Sequence, residues 1–510
     1  MRARLGLTVW LAAYGFSASL AFADSRLQAL SVPDSSALIG FAFATHGDAE
    51  PHLPVSLVWA PAALQSAPAL VAAPLVVAPL PWRLTWDNAR PTLTSPSGLV
   101  AISLRSLIQY DYALYLQAAP GDPAIDFRRA GSSPREGLNA TDLQSGTDLR
   151  RARLGAEAKL GQGWQVNLTA EFANTPNSIT RLLQATLEYR GLEHFLFRSG
   201  VYAVPFGLEE GQGAAETVFL ERSALTNLVR DLAAGTSRIA ANVQYWNENW
   251  TGLVAITGAR LSDGDRGSPV ALLGRAVYRP LSGSQLLVHL GVNATTQRSL
   301  NTSPVGPDFV RQGVVRFRDR PELRVDDTRL IDTGDIPARA AATYGVEGAL
   351  RWKRLTLQAE AARLHVDRLI DARRIAGARD PDFLTYYGQL SWNLWGPARR
   401  YSTERAAFIA PRLAGELSAI QGDKGAADIT LRYSAANLNS RDILGGRQAV
   451  TTLGFTWFPN NVTRFIVQGQ WVDISRTSPG ANLFGDVTPQ PGAQIGQHYA
   501  TIAMRFQLAL

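Results

Sequence analysis

Along residues 151–160, RARLGAEAKL, polar and apolar side chains alternate one for one. Arg151, Arg153, Glu157 and Lys159 hold odd positions and Ala152, Leu154, Ala156, Ala158 and Leu160 hold even ones. Successive side chains of a strand point to opposite faces, so this run predicts a strand with one polar and one apolar face. A second run follows, with Gln165, Asn167, Thr169 and Glu171 opposed by Val166, Leu168, Ala170 and Phe172. Gly161 and Gly163 between them supply a turn, so 150–172 reads as a hairpin. A half-buried soluble sheet would show the same alternation. Recurrence along the chain decides between the readings.

The pattern does recur. From Gly98 onward the chain reads as strands of about ten residues, joined alternately by tight turns and by longer loops rich in Gly, Asp, Pro and Arg. The strands are predicted at 102–116, 184–189, 195–202, 238–245, 250–258, 285–293, 343–352, 355–364, 385–392, 427–433, 450–458, 464–472 and 498–510, beside the hairpin. Aromatic residues sit near many of their ends, among them Tyr110, Tyr112, Trp246, Trp250, Trp352, Trp392, Trp395, Trp457 and Trp471. Rings with an apolar body and a polar edge collect at membrane interfaces, although aromatics also favour strands in general. The expected fold class is all-β, a transmembrane antiparallel barrel of about 16 strands if each strand with its connections takes ~25 residues.

The two ends of the chain agree with a barrel. Arg2 and Arg4, an apolar run through Leu20 and Ala21-Phe22-Ala23 read as a secretory signal over residues 1–23, the alternative being an N-terminal membrane anchor. Residues 24–97 are rich in Ala, Pro, Leu and Val, and Pro68, Pro74, Pro79 and Pro81 deny both helix and central strand their hydrogen bonds. That segment is expected to be irregular and periplasmic, with a weak helical pattern over 27–38. Residues 98–510 form the barrel domain. The last strand places Ile502, Met504, Phe506, Leu508 and Leu510 on one face and Thr501, Arg505 and Gln507 on the other, suited to closing a barrel against the first strand. It ends on Leu510 rather than on the aromatic residue usual in outer-membrane barrels.

Composition narrows the function. The 510-residue chain has no cysteine and a formal charge of +7, and of its 50 basic residues only Lys159, Lys353 and Lys424 are lysine. Arginine stays charged and offers a planar fork of donors suited to phosphate and carboxylate. A coding bias would raise the arginine count everywhere, so position carries the argument rather than number. The six histidines, at 46, 52, 194, 289, 365 and 498, lack the paired spacing of a zinc site, and no nucleophile elbow, Walker loop or dinucleotide fingerprint stands in context. No enzyme, metal, cofactor or nucleic-acid partner is expected.

Taken in order, QYDY (109–112), RRARLGAEAKL (150–160), VYAVPFGLEE (201–210), FLERS (219–223), FIAPRLAGE (408–416), LRYSAANLN (431–439), GGRQ (445–448) and GFTWFPNNVTRF (454–465) resemble the phosphate-selective porin O and P family of Gram-negative outer membranes. The resemblance covers most of the chain from about residue 98. It implies a 16-stranded barrel, usually trimeric, inserted by the barrel-assembly machinery. Its inward-folded third loop would narrow a pore lined by basic residues that pass anions such as phosphate or polyphosphate. Two departures stand out: phosphate-specific members use lysine as well as arginine, and the proline-rich N-terminal segment has no counterpart. Anion passage therefore carries over better than strict phosphate specificity. The alternatives are a nonspecific or organic-acid pore, and a structural or adhesive barrel.

Candidate pore residues follow from parity. Arg105, Gln109 and Asp111 face away from Ile102, Leu104, Ile108 and Tyr110, and Arg151, Arg153, Glu157 and Lys159 share the inner face of the hairpin. Arg198, Arg238, Arg464 and Arg505 follow by the same rule, because a charge facing lipid costs roughly 2–4 kcal/mol at the midplane. Asp111, Glu157 and Glu171 are expected to temper anion binding so that ions can leave. The resemblance, not parity, makes residues 205–230 the expected constriction loop, with Arg222 and Arg230 in the pore and Glu209, Glu210 and Glu221 pairing them; a plain surface loop is the other reading. Arg311, Arg316, Arg318, Arg320 and Arg324 are expected in an extracellular loop that gathers anions by steering.

Overall fold

The computed structural model describes residues 81–87, 90–117, 143–173, 180–230, 232, 237–260, 269–300, 302–305, 310–369, 379–414, 424–477 and 496–510. The expected signal peptide and the N-terminal segment up to residue 80 lie outside the described residues.

Sixteen strands form one closed antiparallel sheet. They are β1 (Val100–Gln117), β2 (Gly146–Leu160), β3 (Trp164–Glu171), β4 (Arg181–Tyr189), β5 (Phe195–Tyr202), β6 (Arg238–Trp246), β7 (Trp250–Arg260) and β8 (Val270–Ser282). The circuit continues through β9 (Leu286–Ser299), β10 (Ile336–Trp352), β11 (Leu355–Arg368), β12 (Asp382–Trp395), β13 (Ala426–Ser440), β14 (Ile443–Phe458), β15 (Thr463–Ser475) and β16 (Gln497–Ala509). Each strand pairs with the next, and β16 returns to β1 from Tyr499↔Gln117 to Ala509↔Leu107. Closure leaves no strand edge in lipid, where an unpaired backbone group costs several kcal/mol. Below the end of β16 its place is taken by a hairpin, Arg83–Asp87 and Arg90–Thr94, whose Thr92–Thr94 pair with Ala101–Ser103 of β1. The last residues before the barrel domain are therefore ordered as sheet.

Most strands run longer than their alternation suggested, and β8 was not among the predicted ones. Its inward positions Ala271, Leu273 and Val277 are themselves apolar and buried, so polarity does not alternate along its first half. The outward positions carry the lipid face: Leu104, Leu154, Leu168, Val254, Leu290, Val346, Leu384, Leu453 and Ile502 are all exposed. No helix among the described residues is long and apolar enough to cross a membrane.

Tight turns at 161–163, 247–249, 283–285 and 353–354 mark one end of the barrel, which by the usual arrangement faces the periplasm. Gly161 and Gly163 adopt φ of 48° and 93°, and a Cβ on Gly163 would stand 2.4 Å from Gly191 N, so the first turn needs glycine there. Two connections break the rule of length. The link 396–425 is long although it lies at the periplasmic end, and 441–442 is a two-residue turn at the opposite end.

Three inserted segments occupy the interior. Residues 203–230, with the short helix α1 (Ala224–Val229), enter from the far end and bury Phe206, Leu225 and Leu228 against Leu364, Val366 and Phe383 of the wall. Residues 316–335 enter from the same end, and Leu323 meets Leu220, Ile466 and Ala503. From the periplasmic end a hairpin of Arg400–Ser402 with Ala407–Ile409 sets Ala407 and Phe408 against Leu208 and Leu287. Each Leu or Phe buried this way contributes about 1.5–3 kcal/mol.

The expectation for the arginine cluster is corrected here. Arg316 is paired by Asp332 at 2.6 Å and Arg320 by Asp327 at 2.6 Å, and burial together with the Arg150 charge pulls Arg324 down to about 10. The segment carries Phe317, Leu323, Leu330 and Ile331, whose burial outweighs the hydration of its arginines, so it folds inward and leaves only Arg316 and Arg318 of the cluster's described side chains exposed. The side chain of Arg311 lies outside the described residues.

Candidate functional site

The inner wall divides into a packed part and a solvated part. The solvated part runs along β2 to β5 with Arg105 of β1, and on it Glu157, Glu171 and Glu188 each lie beneath a basic side chain. Arg105 and Lys159 are 36% and 64% exposed and Glu157, which both of them pair, 9%. Arg153 is 25% exposed above Glu171 at 4%, joined at 2.8 Å. Arg190 and Arg198 are 30% and 18% exposed above Glu188 at 1%, at 3.0 and 2.7 Å. Water inside the barrel therefore meets cations, with the acids set behind them. Asn167 donates to Glu188 Oε1 at 3.0 Å and the Ala152 N–H to Glu171 Oε1 at 2.8 Å, which holds the buried acids in place.

Facing this wall, the inserted segments add further charge. Arg230 and Arg222 share Glu210, each at 3.3 Å, and Arg405 reaches Glu216 at 3.5 Å. Arg190 also pairs Glu404 at 3.0 Å, which ties the periplasmic hairpin to the wall. Arg90, Arg190 and Arg405 are the repelling electrostatic neighbours of Arg105.

The loop 203–230 is held by buried carboxylates of the wall and of its own chain. Glu360 of β11 accepts the Leu208 and Glu209 N–H groups, both at 2.8 Å, and the Tyr387 hydroxyl at 2.6 Å. A Cβ at Gly207 would stand 2.3 Å from Glu360 Oε1, so only glycine lets the backbone approach so closely. Glu209 accepts from Ser223 Oγ at 2.6 Å and Thr226 Oγ1 at 2.5 Å at the start of α1, and from Arg432 Nη1 at 3.1 Å. Arg432 also pairs Glu322 of the segment 316–335 and lies over the Phe219 ring at 4.2 Å. A single fully buried arginine thus joins two inserts to the wall.

The predicted residues separate accordingly. Arg105, Arg153, Lys159 and Arg198 line the solvated wall, with Glu157 behind them, and Arg230 faces it. Arg151, Arg222, Arg238 and Asp111 point inward but are buried. Asp111 is held by Arg505 through two bonds of 2.6 Å, Arg151 donates to Gln109, and Arg238 Nη2 donates to Leu232 O at 2.7 Å. The expected pairing within the loop is corrected: only Glu210 pairs Arg222 and Arg230. Glu221 instead receives Arg150 at 2.5 Å and Arg505 at 3.2 Å, and Glu209 receives Arg432. Burial alone would raise Glu221, but Arg150, Arg151 and Arg505 hold it well below the usual carboxylate range.

Parity reading missed Arg150. A β-bulge opposite Gln109 and Tyr110 makes Arg150 the extra residue of β2, so it and Arg151 both turn inward. Two adjacent arginines in a strand with one lipid face were the available signal. Arg190 and Arg405 were also missed, since one lies in a turn and the other in the inserted periplasmic hairpin.

A closed sixteen-stranded antiparallel barrel with an apolar exterior and a charged interior is a membrane-spanning channel of the outer-membrane porin class. Residues 121–500 match the phosphate-selective porin O and P family, and the chain belongs to that family. A protein of Caulobacter vibrioides, described only as uncharacterised, is 28% identical over 437 residues, 82% of each chain. Among solved structures, an anion-selective porin from Comamonas acidovorans is 14% identical and covers 81% of this chain and 100% of its own, with a TM-score of 0.44. A loop-deletion mutant of OmpT, an outer membrane protein of Vibrio cholerae, is 10% identical over 81% of this chain and 100% of its own, with a TM-score of 0.48. The fold rests on its own strand ladder rather than on these likenesses.

Proposed function

We propose that this porin passes small anions, phosphate or polyphosphate among them, by passive diffusion along the arginine-covered wall of β2 to β5. The observation that carries this reading is the layering of charge. Arg105, Arg153, Arg190 and Arg198 are half-buried with their charges reaching water above Glu157, Glu171 and Glu188, which are buried. A permeating anion meets the cations at contact distance and the acids only from behind. It is attracted, yet each site carries at most about one net positive charge, so it is not trapped; conduction needs both conditions. Residues 203–230 and the periplasmic hairpin supply the opposite side of the path with Arg230 and Arg405 and set its width. The family resemblance adds a trimer, signal-peptide removal before Asp24 and assembly by the barrel-insertion machinery to the proposal.

Purified full-length protein in planar bilayers tests it. With a salt gradient across the membrane, the reversal potential should have the sign of anion preference, and phosphate should reduce chloride current by competing for the same cations. A potential of the opposite sign would overturn the proposal, and a potential near zero would favour a nonspecific pore.

A further inference from the structure

The turn between β10 and β11 carries chemistry that the pore does not use. It reads Trp352-Lys353-Arg354-Leu355, and Lys353 and Arg354 are its only two residues outside the strands. Two-residue hairpin turns favour Gly, Asn or Asp, because the first position takes positive φ. Lys353 holds that position at φ 52°, in a chain with only two other lysines. Strain of that kind is a reason to look for a function.

The surroundings supply one. On the lipid side of the wall, immediately beside the turn, Leu286, Leu350, Trp352, Leu355 and Leu357 line an apolar groove of about 100 Å³. Lys353 Nζ stands 5.6 Å from the centre of the Trp352 ring, so its charge lies at the mouth of this groove. Arg354 gives one N–H to Leu394 O at 2.9 Å, and its side chain is otherwise exposed. Behind the turn, Arg351 donates to Gly283 O at 2.9 Å. Among the described residues no carboxylate lies within ion-pair distance of Arg351, Lys353 or Arg354. Exposed Trp392 of the neighbouring strand, paired with Leu355, flanks the same spot. Cations without counter-charge, interfacial tryptophans and an apolar groove at one height of the wall match the two halves of an anionic phospholipid.

We propose that this turn binds one anionic phospholipid of the periplasmic leaflet, its phosphodiester against Lys353 and Arg354 and the upper part of an acyl chain in the Leu286–Leu357 groove. A free phosphate would have no use for the groove, and a zwitterionic lipid would leave the cations uncompensated. The test is native mass spectrometry of the full-length protein released from nanodiscs of mixed phosphatidylglycerol and phosphatidylcholine. The wild type should retain phosphatidylglycerol in preference, and Lys353→Asn with Arg354→Gln should lower that retention roughly tenfold. Asparagine tolerates the positive φ, so the turn is kept. Unchanged single-channel conductance will show that the variant barrel is intact. Equal retention of the two lipids by the wild type, unchanged retention in a conducting variant, or displacement of the lipid by millimolar inorganic phosphate would overturn the proposal.

Discussion

The two sides of the barrel interior are built from the same residue types and do opposite things. Along β2 to β5, arginines stand in water above buried acids. Along β12 to β16, Arg432, Arg464 and Arg505 are buried under the inserted segments with almost no solvent contact. On the first side a charge is screened and available to a passing ion. On the second it is a structural fastener, because a buried charge must be bonded or it destabilises the fold. Parity along a strand cannot distinguish the two, since it reports direction and not what lies opposite.

The largest expected effect breaks the packed side. Arg432→Ala strips Glu209 and Glu322 of their buried partner and should destabilise the barrel by about 3–5 kcal/mol, seen as a lower melting point and earlier proteolysis of residues 203–230. A variant that melts like the wild type would mean that the inserts are not fastened there.

Next, Arg105→Ala with Arg153→Ala should lower the melting point less than Arg432→Ala does, since Glu157 keeps Lys159 and Glu171 keeps the Ala152 N–H. The double variant should weaken anion preference by about 1 kcal/mol per charge, read as a reversal potential closer to zero. Stability loss without a selectivity change would reverse the roles assigned to the two sides.

A pH dependence sharpens the packed side further. Asp319, in the segment 316–335, is pushed up from 3.8 to about 8, mainly by burial, so the folded state holds its proton more tightly than the unfolded state. Its contribution is therefore full below pH 3.8 and is lost as pH rises toward about 8. Proteolysis of this segment should quicken between about pH 4 and pH 8 in the wild type, level off above that, and change much less in Asp319→Asn. Equal acceleration in both would remove Asp319 as the cause.

The smallest effect lies again on the solvated wall. Glu157→Gln frees Arg105 and Lys159 from their shared acid and should raise anion preference by roughly 0.5 kcal/mol or less, since Glu157 lies behind both cations and these stand partly in water. A shift toward cations would contradict the layering of charge.

Much of this was legible in the residues. The inner row Arg151, Arg153, Glu157, Lys159 and the outer row Ala152, Leu154, Ala156, Ala158 lie where alternation put them. The closing strand meets β1 as expected. The bulge at Arg150, the apolar interior of β8 and the inward course of 316–335 were not legible, because each depends on what packs against it from far along the chain.

The sequence by itself determined the barrel. The period of two in polarity is local, and a lipid face with a closed backbone ladder follows from it by solvation alone. It also determined the type of charge inside, since arginine has nowhere else to go. Only the tertiary structure decided which arginines meet water and which are buried. The hydration of a charge depends on the whole volume around it, and segments such as 203–230 and 400–409 fill or leave open that volume from positions distant in sequence.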